Sequence, residues 1–177
     1  YGQTGAGPKA MIQVALHADE VPALLVAQKL RTLLAELEAQ GQMRGEVILV
    51  PYANPLGLSQ LLLGQHQGRF DLRDGINFNR NVPDLTAAVV SAVDGRLGND
   101  AGINAALVRQ ALREAAAALC AQDPVNDLKN RLLQLAVDSD IVLAVHCDSE
   151  AVMHLYALTP QADLALELGA LMGAQAT

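Results

Sequence analysis

The sequence predicts an α/β fold: a mixed, mostly parallel sheet with helices on both faces. Three observations carry this expectation. Apolar runs too short for a stable helix recur at Lys9 to Leu16, Glu46 to Tyr52 and Ile141 to Val145. Longer stretches with apolar residues at helical spacing lie between and after them. Strands that alternate with helices in this way bury both faces of a sheet under crossover helices.

Each element can be justified in order. The opening Gly2-Gln3-Thr4-Gly5-Ala6-Gly7-Pro8 reads as a turn or loop, and Lys9 to Leu16 as the first strand. Pro22 suits a first helical turn, where its missing N–H costs nothing. From Ala23 to Gln40 the leucines Leu24, Leu25, Leu30, Leu33, Leu34 and Leu37 recur at helical spacing, and Gly41 ends the run. Glu46 to Tyr52 is the second strand, closed by Asn54-Pro55. Gly57 to Pro83 is polar, glycine-bearing and irregular, and loops of that length are usually functional or disordered. Asp100 to Ala121 reads as an alanine-rich helix ended by Asp123-Pro124, and Asn126 to Val137 as another. Asp138-Ser139-Asp140 leads into the third strand, and a last helix covers about Gln161 to Ala174.

Composition narrows the function classes. At 177 residues and 51% hydrophobic, the chain can bury one substantial core, so residues 1–177 are expected to form a single catalytic domain. It starts at Tyr1 and stops just after an apolar helix, and both ends read as cut from a longer protein. A net charge of −7 argues against a nucleic-acid surface. No apolar run approaches the roughly 20 residues of a membrane span. Cys120 and Cys147 give no disulfide framework; they read as small core residues in a reducing cytoplasm.

Two remote segments read together as a metal site. They are His17-Ala18-Asp19-Glu20 and Val145-His146-Cys147-Asp148, each at the end of a predicted strand. In α/β sheets, ligands sit beyond the carboxyl ends of the strands, where Asn54 also falls. Two imidazoles and one carboxylate form a catalytic zinc set, because the fourth position stays open. His66 reads as a solvated loop residue, and His154 as a core or supporting one.

Scarce positive charge is concentrated in Gly68-Arg69-Phe70-Asp71-Leu72-Arg73-Asp74-Gly75-Ile76-Asn77-Phe78-Asn79-Arg80-Asn81. Arginine recognises carboxylates in a planar, bidentate way, so this loop reads as an anion site.

The order His-x-x-Glu, Asn-Pro, an Arg-rich loop with Asn79-Arg80, and a strand ending in His146 resembles the succinylglutamate desuccinylase/aspartoacylase family, relatives of the zinc carboxypeptidases. The resemblance runs from about Gly7 to Gly173. It implies a zinc-dependent hydrolase that cleaves the amide bond of a small N-acylated amino acid or amine. It implies one zinc ion per chain on His17, Glu20 and His146, and a small anionic substrate whose carboxylate meets Asn79 and Arg80. Arg69 would polarise the scissile carbonyl, with Arg73 as a rival. The general base would be a glutamate beyond Thr177, since Glu150 lies in a loop and Glu167 on a predicted helix. The chain departs from the pattern at Asn77 and Ala144, where family members usually carry acidic partners of the ligand histidines. A metallocarboxypeptidase, a non-catalytic metal-binding relative and a purely structural domain are the competing readings, and a homo-oligomer is left open.

Overall fold

The computed structural model describes residues 1–147 and 150–177; Asp148, named above beside His146, lies outside the described residues. In chain order the elements are β1 (Lys9–Val14), α1 (Pro22–Ala39), β2 (Glu46–Val50), α2 (Pro55–Leu58), β3 (Leu61–Leu62) and β4 (Gln65–His66). They continue with α3 (Thr86–Val93), α4 (Ala101–Ala117), α5 (Pro124–Val137), β5 (Ile141–Val145) and α6 (Ala162–Met172). Two compact units hold these elements, residues 1–146 and 147–177.

The three strands expected from the apolar runs form one parallel sheet in the order β2-β1-β5. In register, Met11 lies opposite Ile48 and Val142, and Val14 opposite Val145. β1 is therefore central, and Met11 and Val14 are fully buried. The chain leaves β1 for a neighbour on one side and later returns to its other side. Parallel crossovers are almost always right-handed, so connections running in opposite directions place their helices on opposite faces. Ligands of such sheets sit beyond the carboxyl ends of the strands. His17 and His146 follow β1 and β5 at that edge.

The amino edge of the sheet is held by charge. Lys9 Nζ lies 2.6 Å from Asp138 Oδ2 and 3.2 Å from Glu46 Oε1. The Lys9 N–H donates to Asp140 Oδ2 at 2.8 Å, and the Asp140 N–H donates back to the Lys9 carbonyl at 2.7 Å. Arg113 and Arg109 of α4 pair with Asp138 and Asp140, each at 2.6 Å. The Asp138 carboxyl is held below its usual range by its bond from Lys9, and Asp140 likewise, first by the Lys9 N–H.

Local chemistry explains the helix boundaries. Asp100 and Asp123 accept the N–H groups of Ile103 and Asn126, capping α4 and α5. Three expectations need correction. The alanine-rich helix ends at Ala117 rather than Ala121, which leaves Cys120 exposed and not in the core. The stretch from Gly57 to Pro83 is not wholly irregular, since it holds a turn of α2, the β3–β4 hairpin and a Phe70–Asn77 bridge. α3, left unassigned by the sequence reading, packs Leu85, Val89 and Val93 against Ala111 and Ala116 of α4.

In the second unit α6 buries Ala165 and Gly169 and ends at Gly173, whose φ of 71° closes the helix. The chain then folds back, and the N–H groups of Leu155 and Gln175 donate to Ala176 and Met153 carbonyls. Among the described residues no helix is long and apolar enough to cross a membrane.

Candidate metal centre

The turn that presents His17 is shaped by three contacts. After β1, Ala15 adopts a left-handed φ of 59°, an uncommon conformation for a residue with a Cβ. The carbonyl of the next residue, Leu16, accepts from Asn54 Nδ2 at 2.9 Å. Asn54 is completely buried, and its Oδ1 accepts the Gly57 N–H at 2.8 Å. Asn54 thus anchors the backbone just ahead of His17. The third contact is the Ala18 N–H donating to the Gly68 carbonyl at 2.9 Å. A Cβ on Gly68 would stand 2.0 Å from the Asp19 nitrogen, so only glycine permits this approach.

His17 and Glu20 are both buried, and the His146 side chain is 32% exposed. His17 Nδ1 lies 2.9 Å from Glu20 Oε1, and His146 Nδ1 lies 3.0 Å from Glu20 Oε2. Their ligand atoms all lie within 4.8 Å of one another. The two imidazoles meet edge to face, with centroids 5.1 Å apart.

The protonation of His17 follows from its other nitrogen. Asn77 Oδ1 receives the Asn79 backbone N–H at 2.8 Å, and a backbone N–H can only donate. That contact identifies the atom as the amide oxygen. His17 Nε2, 2.9 Å from the same oxygen, must then carry a proton and donate it. In a neutral imidazole Nδ1 keeps its lone pair, and here that lone pair faces a carboxylate oxygen. Two acceptors at 2.9 Å repel unless a positive species lies between them. A second proton would serve, and so would a metal ion.

The donor set fits a metal. Bonds of 2.0–2.2 Å in tetrahedral geometry put neighbouring ligand atoms about 3.3 Å apart. Two of the separations, 2.9 and 3.0 Å, come near that edge, and the whole set spans no more than 4.8 Å. The imidazoles present nitrogen, the carboxylate presents oxygen, and the mixture suits zinc better than a hard oxygen-seeking cation.

The loop residues divide into two groups. Arg69 Nη2 donates to Glu20 Oε1 at 2.7 Å, so its guanidinium stands at the cluster. Arg73, the rival, is committed elsewhere: it pairs with buried Asp71 at 2.7 Å and reaches Asp123 at 3.5 Å. The Asp71 carboxyl is held below its usual range by that bond. Asn79 is half-buried, and exposed Arg80 donates through Nη1 to the Asn79 carbonyl. Phe78 is almost completely buried and fixes the loop between them.

The remaining candidates lie outside the cluster. His66 Nε2 donates to the Gly57 carbonyl at 3.1 Å. His154 Nδ1 donates to the Val152 carbonyl at 2.9 Å, and its ring meets Tyr156 edge to face at 4.8 Å. Glu150 and Glu167 are exposed, the latter on α6. Sequence reasoning had no signal for the bracing roles of Asn54 and Gly68, which depend on contacts with distant backbone. For Asn77 the spacing to Asn79-Arg80 was a usable signal.

No protein-family model matches this chain, and no curated protein does. Solved structures do. A Shewanella frigidimarina protein provisionally assigned as a succinylglutamate desuccinylase/aspartoacylase superposes with a TM-score of 0.79 at 30% identity, over 93% of this chain and 44% of that one. A Shewanella amazonensis protein with the same provisional family assignment gives a TM-score of 0.70 at 29% identity, over 87% of this chain and 42% of that one. The chain thus spans less than half the length of these solved relatives.

Proposed function

We propose, on the premise that this chain shares the fold of succinylglutamate desuccinylase/aspartoacylase family proteins, that it forms the metal-holding part of a zinc-dependent hydrolase. Its reaction is cleavage of the amide bond of a small N-acylated amino acid or amine. The observation that carries this reading is the convergence of His17 Nδ1 and His146 Nδ1 on the two oxygens of the Glu20 carboxylate, at 2.9 and 3.0 Å. Zinc held by His17, Glu20 and His146 would supply Lewis acidity for the carbonyl and lower the pKa of water towards about 7.

The chain's own residues supply the rest. Asn77 keeps His17 turned with Nδ1 inward. Arg69, already beside Glu20, takes up negative charge developing on the carbonyl oxygen, the contribution expected to be largest. Asn79 and Arg80 hold the carboxylate of the substrate. For that, the Arg80 guanidinium exchanges its bond to the Asn79 carbonyl for one to the anion. The general base is assigned to a glutamate of the longer protein beyond Thr177. Cys120 and Cys147 form no disulfide, which accords with a reducing, cytoplasmic compartment.

One observation favours a second reading. Asn77 is a neutral partner for His17 where a carboxylate would raise imidazole basicity, and Ala144 offers His146 no partner at all. A non-catalytic metal-binding relative fits these two positions.

Elemental analysis and chelator competition on the purified chain test the metal. The expected result is one zinc per chain, lost in His17→Ala and His146→Ala. Full occupancy in His17→Ala would overturn the assignment. Turnover of N-acyl amino acids by the full-length protein separates the deacylase from a carboxypeptidase, which prefers short peptides, and from the silent relative.

A further inference from the structure

Among the described residues, six polar or charged side chains are buried: His17, Glu20, Asn54, Asp71, Lys129 and Asn130. The first four have the partners described above. Lys129, on α5, is 6% exposed and has no ion pair or side-chain hydrogen bond among the described residues. The chain carries 19 acidic residues against 12 basic ones, so carboxylates are abundant, yet none among the described residues pairs with this ammonium. An unpaired buried charge costs several kcal/mol unless something compensates it.

The surroundings indicate what would do so. No buried side-chain nitrogen among the described residues lacks a partner, so the Lys129 ammonium is not sealed off but reaches accessible space. Lys129 lines a cavity of about 120 Å³ together with Gln13, Leu16, Phe78, Asn79 and Val142. Several water molecules would fit such a volume, and so would a fragment of a few carbons. Most lining residues are apolar, the polar ones are Gln13, Asn79 and Lys129, and no acidic residue is among them. Two lining residues are linked to the metal centre through the chain and its hydrogen bonds. Leu16 precedes His17, and the Asn79 N–H shares the Asn77 oxygen with His17 Nε2.

We propose that this cavity is a binding subsite for a carboxylate on a short aliphatic stem, with Lys129 as its anion anchor. Leu16, Phe78 and Val142 cover the methylenes, and the Gln13 amide hydrogen-bonds a carboxylate oxygen. The inference rests on the proposed hydrolase only in identifying the ligand as one end of the substrate; the anion site itself requires no metal.

Butyrate and butyramide are the probes, titrated into chelator-treated protein so that no metal can hold the carboxylate, and followed by the methyl resonances of Leu16 and Val142. Butyrate is expected to shift them and the isosteric amide to leave them unmoved. Lys129→Met should weaken butyrate roughly tenfold or more, the loss of a charge-assisted bond, while Lys129→Arg retains part of it. Equal shifts from butyrate and butyramide, or none from butyrate in folded protein, would overturn the subsite without recourse to any variant. Butyrate binding that is unchanged in a folded Lys129→Met would do the same. The two proposals separate cleanly, because zinc binding without a butyrate response sinks only the subsite, and a butyrate response without zinc binding sinks only the hydrolase.

Discussion

His17 and Asn77 stand sixty positions apart and share a hydrogen bond of 2.9 Å, and that bond decides which imidazole nitrogen faces Glu20. Replacing Asn77 with Leu removes the acceptor while keeping similar bulk. Zinc affinity should fall by about 10–100-fold in chelator competition. Asn77→Asp restores an acceptor with a charge and should bind zinc at least as tightly as the unaltered chain. Nitrogen NMR of the metal-free, neutral ring should show the proton on Nε2; a proton on Nδ1 would refute the tautomer.

Gly68→Ala tests the close approach of two loops. The added Cβ would collide with the Asp19 nitrogen, and the obstacle is backbone that cannot swing aside. The Ala18–Gly68 bond must break, displacing both His17 and Arg69. A loss of about 2–4 kcal/mol in urea unfolding is expected, together with weakened zinc binding. A variant as stable as the parent would show that the turn tolerates separation.

Arg69 and Arg73 should separate by phenotype. Arg69→Met in the full-length enzyme is expected to lower kcat by about 10²–10³-fold while zinc remains bound. Arg73→Met leaves buried Asp71 without its main partner, so stability should drop with chemistry spared. Kinetics and denaturation measured on both variants check the pair, and an exchange of the two outcomes would reverse the roles.

The amino-edge charges predict a stability plateau bounded on both sides. Asp138, Asp140 and Asp71 have folded pKa values below the ordinary 3.8, so they stabilise the fold above that value. This contribution disappears as pH falls through 3.8 towards the folded values. Lys9 has a folded pKa above 10.5, raised chiefly by its bond to Asp138; its contribution is complete below 10.5 and disappears as pH rises through the folded value. Urea midpoints across pH 2 to 12 should therefore fall at both extremes. Asp138→Asn should flatten both limbs, and undiminished pH dependence in that variant would remove Asp138 from the account.

Much of the fold was legible because its signals are local. Short apolar runs marked all three strands of the sheet, and α1 begins one residue before the expected helix and ends one before it. The ligand candidates were legible because strand ends are where a parallel sheet exposes functional groups. α3 escaped because its apolar residues pair with α4 rather than announcing themselves by a cap. The choice between Arg69 and Arg73 was undecidable along the chain, since both have acidic neighbours in sequence. Their partners are Glu20, 49 positions away, and Asp71, two positions away.

Alone, the order of residues determined the alternation of strands and helices, and named two histidines and a glutamate as one cluster. Periodicity and residue chemistry are properties of short segments and survive without coordinates. Tertiary structure decided which nitrogen of His17 faces inward, which arginine attends Glu20, why Gly68 must be glycine, and that Lys129 is buried with no counter-charge among the described residues. Each of these depends on backbone or side chains brought together from far along the chain, and only the packing of the sheet sets those distances.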